Sequence, residues 1–111
     1  MRGGVPPRVR EAVDRFLSGL LREVRVEEAY LFGSYVRGDW LETSDIDLVV
    51  VSRDFAGKRF MERLEDAEML QWRLGITPHI EVLPYTPEEF AEARRRSIAL
   101  RDASRYWLRL I

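Results

Sequence analysis

Gly33-Ser34-Tyr35-Val36-Arg37-Gly38, then a polar loop, then Ser44-Asp45-Ile46-Asp47-Leu48-Val49-Val50-Val51: this stretch decides how the chain reads. The apolar run Ala29-Tyr30-Leu31-Phe32 leads into it and stops at the small pair Gly33-Ser34. Asp45-x-Asp47 then opens a run of Ile, Leu and Val with the composition of a buried strand. Alternate strand residues share a face and lie about 6–7 Å apart. Asp45 and Asp47 are therefore expected on one face, with Ile46, Leu48 and Val50 turned towards a core on the other.

Two carboxylates at the mouth of an apolar strand raise each other's pKa, and burial raises both. A divalent cation relieves this, and aspartate oxygens suit Mg²⁺, which is usually held by one or two carboxylates plus substrate phosphates. Gly33-Ser34 sits where a strand turns into a helix, and free N–H groups with the helix dipole favour a phosphate there. Gly33 lets backbone and phosphate approach closely. Ser34 reads either as a phosphate contact or as a plain helix cap. Arg37, one turn later, either reaches a triphosphate or acceptor or ties down Asp39 or Glu42. A phosphate cradle beside a metal-binding pair means nucleotide chemistry.

These residues resemble a known family. Gly33-Ser34, ten intervening residues and Asp45-x-Asp47 look like the signature of the nucleotidyltransferase superfamily that includes DNA polymerase β. The fuller pattern, Gly33-Ser34-x-x-Arg37-Gly38 with Ser44-Asp45-Ile46-Asp47-Leu48, resembles the minimal nucleotidyltransferases, often paired as antitoxins with HEPN-type toxins. The resemblance implies a polymerase β-like α/β (α+β) fold: a small mixed sheet of three to four strands with helices mainly on one face.

It also implies transfer of AMP from ATP, with two Mg²⁺ ions, to a hydroxyl acceptor, and a third acidic ligand. The strand expected after the long helix places His79, Glu81 and Leu83 on one face and Ile80 and Val82 on the other. Matching apolar faces puts Glu81 on the side of Asp45 and Asp47, and by resemblance Glu81 takes the third acidic place, where the family frequently has Asp. Asp45, Asp47 and Glu81 are thus the candidate catalytic and metal-binding residues, and Gly33, Ser34 and Arg37 the nucleotide-binding ones. His79 reads either as an acid–base group near the metals or as a structural histidine.

Length and composition agree with this. The 111 residues suggest one domain, residues 1–111, with residues 1–5 loose. At 46% hydrophobic and 33% charged the chain is globular in composition. It has no cysteine and one histidine, which excludes disulfides, thiolate metal sites and a multi-histidine zinc site. No apolar run is long enough to span a bilayer, and residues 1–7 lack a leader's apolar core, so a cytoplasmic location and no membrane partner are expected.

The net charge of −1 hides a division: residues 93–111 carry six Arg against one Asp, and residues 38–92 thirteen acids against five basic residues. Overall basicity, the footprint of nucleic-acid binding, is missing.

Taken in order, a helix is expected over 6–23 with the stripe Val9, Val13, Phe16, Leu17, Leu20 and Val24. Strands follow at 27–32 and 46–51. A helix over 57–74 is expected to bury Phe60, Leu64, Ala67, Leu70 and Leu74 and to end at Gly75, while Met61, Met69 and Trp72, off that stripe, read either as a widening of the core face or as exposed for a partner. A strand at 79–83 comes next. Thr86-Pro87-Glu88-Glu89 then reads as a capping box opening a helix to Arg96. A turn at 98–103 and an edge strand at 106–110 close the chain.

At this length the chain is expected to be too short to carry its own acceptor domain. The acceptor site is left to an open sheet edge, a second copy of the chain or a separate protein; the resemblance favours the last, a tyrosine on a HEPN-type toxin. The alternatives are an antitoxin that acts by binding alone, transfer to a small molecule such as an aminoglycoside, and an RNA-tailing enzyme, the last disfavoured by the charge.

Overall fold

The structure, a computed structural model, describes residues 4–111; the expectation for residues 1–5 falls partly on 1–3, outside the described residues. Pro7 opens α1 (Pro7–Leu20), where its missing N–H costs nothing. Val9, Val13, Phe16, Leu17 and Leu20 fall on one face of α1 and are buried, as the spacing predicts. The chain continues as β1 (Glu28–Phe32), α2 (Ser34–Arg37), β2 (Ile46–Val51), a 3-10 turn (Arg53–Phe55), α3 (Phe60–Leu74), β3 (Ile80–Tyr85), α4 (Pro87–Arg96), α5 (Ile98–Ala103) and β4 (Leu108–Arg109).

The four strands form one mixed sheet in the order β3-β2-β1-β4, with β2 and β3 parallel and the other neighbours antiparallel. β2 is central and buried on both faces. Ile46, Leu48 and Val50 pack with Val9, Val13 and Phe16 of α1 and with Ala67 and Leu70 of α3. On the opposite face Val49 and Val51 pack with Tyr30, Phe90 and Leu100. Trp107 stacks on Tyr30 at 4.2 Å between ring centres and helps seal this second cluster. The longer helices thus lie on one face, while α4 and α5 cover part of the other.

α3 ends at Gly75 in the left-handed conformation, φ +62°, as expected for a glycine C-cap. Its buried stripe differs from the expected one. Arg63, Ala67, Leu70 and Gln71 are buried; Leu64 and Leu74 are half-buried, and Phe60 is exposed. Met61 (64%), Met69 (56%) and Trp72 (77%) face solvent rather than the core.

The reason lies in β3, an edge strand whose outer backbone groups need polar partners. Gln71 donates to the Ile80 carbonyl at 2.9 Å and accepts from the Ile80 N–H at 2.8 Å. Arg63 donates to the Pro84 carbonyl at 3.1 Å and to Glu89 at 2.6 Å. Pro84 itself brings no N–H to that edge, as a proline in a sheet must. Hydrophobic spacing alone cannot reveal a helix whose inner face carries an arginine and a glutamine.

Thr86 and Glu89 form the expected capping box of α4. Ser97 interrupts the helix and caps α5 through the Leu100 N–H. The final strand is shorter than expected, two residues pairing with β1. Among the described residues no helix is long and apolar enough to cross a membrane.

Candidate active site

β1 ends at Phe32, and the backbone turns at Gly33 with φ +84°, a conformation open to glycine and strained for other residues. Space makes the same demand: a Cβ at Gly33 would stand 2.0 Å from Asp47 Oδ2. The Asp47 carboxylate is therefore laid against the bare Gly33 backbone. This follows from register, since Phe32 is the antiparallel partner of Asp47. Gly33 is the N-cap of α2, and Ser34 is the first helical residue rather than the cap.

On the other side of β2, Asp47 is in register with Glu81 of β3. The strands are parallel, so facing residues point to the same side, and the two carboxylates are neighbours. Asp47 is half-buried and Glu81 exposed. Burial first, then the charges of Glu81 and Asp45, push the Asp47 carboxyl up from 3.8 to about 6. The positive charge of Arg37 opposes this but is the weakest influence. Neither Asp47 nor Glu81 has an ion pair among the described residues.

Asp45 precedes β2 and is exposed. His79 Nδ1 lies 3.7 Å from Asp45 Oδ1, and His79 Nε2 lies 2.7 Å from Glu68 Oε1. Partial burial works against protonation of His79, but the hydrogen bond and charge of Glu68, with the charge of Asp45, raise its pKa overall. Glu68 is a residue that sequence reasoning did not single out.

A cavity of about 320 Å³ opens over the carboxylates, lined by Gly33, Arg37, Asp47, Glu81, Asp102 and Tyr106 among others. The expected Arg37–Asp39 contact is present at 3.4 Å, but Arg37 Nη1 also donates to Tyr106 Oη at 2.9 Å. The Gly33 N–H donates to the same oxygen at 3.3 Å. Asp102 and Tyr106 were not foreseen. Tyr106 is 73 residues from Gly33, and nothing local in the sequence announces the contact.

A larger cavity, about 660 Å³, lies between α1 and α3 and holds none of the predicted site residues. The charges on its rim are already paired, Lys58 with Asp66, Arg63 with Glu89 and Arg73 with Glu23. The smaller cavity, where Asp47 and Glu81 stand side by side without an ion pair, is the better chemical site.

Among the described residues no three His, Asp or Glu side chains form a ready-made metal cage. The donor chemistry still fits magnesium: hard carboxylate oxygens, one of them partly desolvated, beside a backbone cradle. Mg²⁺ is usually held by one or two carboxylates with waters and substrate phosphates rather than by an all-protein cage.

The mixed sheet thus sets the glycine turn at the end of β1 beside the carboxylates of β2 and β3. The nucleotidyltransferase domain family model matches residues 13–106, and the chain belongs to that family. Over 68 residues, 61% of this chain and 68% of the relative, it is 35% identical to a Methanocaldococcus jannaschii protein named "putative protein adenylyltransferase MJ1379". Two solved structures share the fold. One is a "putative nucleotidyltransferase", with TM-score 0.53, 22% identity, and coverage of 96% of this chain and 100% of that one. The other is a chain of a toxin-antitoxin crystallised with AMP-PNP, with TM-score 0.58, 20% identity, and coverage of 88% and 71%. The protein is a nucleotidyltransferase.

Proposed function

We propose that this nucleotidyltransferase moves AMP from ATP to a hydroxyl of another protein, a tyrosine of a HEPN-type toxin, and so serves as the antitoxin of a pair. The observation that carries the chemistry is Asp47 and Glu81 facing each other, without a cation partner, beside the bare backbone of Gly33. The protein acceptor is supported by the relative named as a protein adenylyltransferase, and the toxin by the toxin-antitoxin neighbour in fold.

In this reading Asp45, Asp47 and Glu81, together with the phosphates of a bound triphosphate, would hold Mg²⁺, and the ion would supply charge neutralisation. The Gly33 backbone, Ser34 and Arg37 grip the phosphates and fix the α-phosphorus in line with the acceptor oxygen. Glu81, the more exposed carboxylate, takes the acceptor's proton as its oxygen bonds to the α-phosphorus. The bond from α-phosphorus to the bridging oxygen breaks and pyrophosphate leaves. Positioning and preorganised charge supply most of the acceleration.

The test is incubation of the full chain with α-labelled ATP, Mg²⁺ and a HEPN-type toxin. Label on a toxin tyrosine, lost in Asp47→Asn, is the expected result. Neutralisation of the toxin that survives Asp47→Asn, with no label anywhere, would replace this reading with binding alone. Label on an aminoglycoside without any protein acceptor would replace it with small-molecule transfer.

A further inference from the structure

Tyr106 Oη occupies a point in the cleft where two hydrogen-bond donors converge. It accepts from the Gly33 N–H at 3.3 Å and from Arg37 Nη1 at 2.9 Å. A turn N–H and a guanidinium aimed at one oxygen are the donors that would hold a phosphate oxygen. The guanidinium carbon also stands 5.8 Å from the Tyr106 ring centre. None of the other three tyrosines lines the cleft: Tyr35 donates its hydroxyl to the Ser44 carbonyl, Tyr30 donates to Glu28, and Tyr85 stands at the far end of β3. Tyr106 is therefore a specific occupant, not one of several phenols that happen to be near.

The segment that carries it is lightly held on one side and anchored on the other. α5 is six residues long, and β4 pairs with β1 through two residues. Trp107 next door is stacked on Tyr30 and also lies over Arg94. The contacts of Trp107 hold the segment without involving the phenol.

We propose that Tyr106 sets the affinity of the nucleotide site: its hydroxyl stands in for a phosphate oxygen and is displaced when the phosphates of a nucleotide arrive. This rests on the nucleotidyl-transfer reading. Each binding event must break two hydrogen bonds before it makes its own. A site that is competent for only part of the time binds more weakly in proportion.

The test is calorimetric titration of the full chain and of Tyr106→Phe with Mg²⁺ and a non-hydrolysable ATP analogue, then with Mg²⁺ and pyrophosphate. Phenylalanine keeps the ring and removes only the competing oxygen. Both ligands should bind at least about three-fold more tightly to the variant, the lower bound set by the worth of a single neutral hydrogen bond. Tyr106→Leu should show the same gain, which guards against a folding defect peculiar to one substitution. Equal or weaker binding by the variants, with the parent binding normally, overturns the displacement and leaves nucleotidyl transfer standing. Binding of neither ligand to any of the three chains at millimolar concentration overturns both.

Discussion

β2 and β3 lie side by side and meet charged groups at both ends, and the two ends treat them in opposite ways. At the Val51–Tyr85 end, Arg63 is buried, 6% exposed, and its donors are satisfied by Glu89 and by the carbonyls of Pro84 and Lys58. Glu89 answers it, and the hydrogen bond from Arg63 holds its carboxyl below the usual range despite partial burial. At the Asp47–Glu81 end two carboxylates face each other with no such partner, and Asp47 is pushed up to about 6. One end is a closed structural tie between α3, β3 and α4; the other is left electrostatically open. An open pair in a cleft is what a cation and a triphosphate require, and a structural tie would have no use for it.

Breaking the open end should have the largest effect. Asp47→Asn should lower the rate of nucleotidyl transfer by about 10³-fold or more, since on the proposed reading it removes a charge that acts at the reacting phosphate. Steady-state turnover with labelled ATP measures this. The variant should stay folded, because its amide can lie against Gly33 as the carboxylate does.

Breaking the closed end should cost stability instead. Arg63→Ala leaves Glu89 and the Pro84 carbonyl without their partner, and a loss of about 3 kcal/mol is expected in urea unfolding. Transfer by the molecules that remain folded should be close to that of the parent.

The pH dependence sharpens the contrast. With its folded pKa raised from 3.8 to about 6, Asp47 holds its proton in the folded state while the unfolded chain releases it. Its contribution to stability is present below pH 3.8 and is lost as pH rises through about 6. Over that window the parent should lose on the order of 2 kcal/mol relative to Asp47→Asn, discounted for the half-buried position of the carboxylate. Denaturant midpoints of the two proteins at intervals from pH 4 to pH 7 measure the difference. Glu89, with its lowered pKa, contributes in the opposite sense: its share is present at neutral pH and is lost on acidification.

The smallest effect is expected just beyond the open end, where His79 precedes β3. His79→Gln keeps a hydrogen-bonding group near Glu68 and Asp45 but removes the ionisable ring. Both contacts are substantially exposed, so the stability change should be under about 1 kcal/mol, measured at pH 6 where the ring carries charge.

Alternation along β2 and β3 was enough to predict from sequence that Ile46, Leu48, Val50, Ile80 and Val82 face a common core, and they do. It also placed Asp47 and Glu81 on one side of the sheet, because side-chain direction in a strand repeats every two residues. Proline and glycine marked the helix ends at Pro7, Gly75 and Pro87 for equally local reasons. The inner face of α3 could not be read this way. Arg63 and Gln71 are buried because of what stands opposite them, the edge of β3 and Glu89, and a helix carries no record of its neighbours in its own spacing. For the same reason spacing left Met61, Met69 and Trp72 open between core and surface, and they face solvent.

The sequence by itself determined the elements, their faces and the pairing of a glycine turn with two strand carboxylates, since each rests on backbone conformation or on side-chain period. Tertiary structure alone decided who else reaches that turn. Tyr106 arrives from the far end of the chain because β4 pairs with β1 and carries the end of α5 back over Gly33. Such a contact is created by chain crossing and strand order, which no stretch of neighbouring residues can encode.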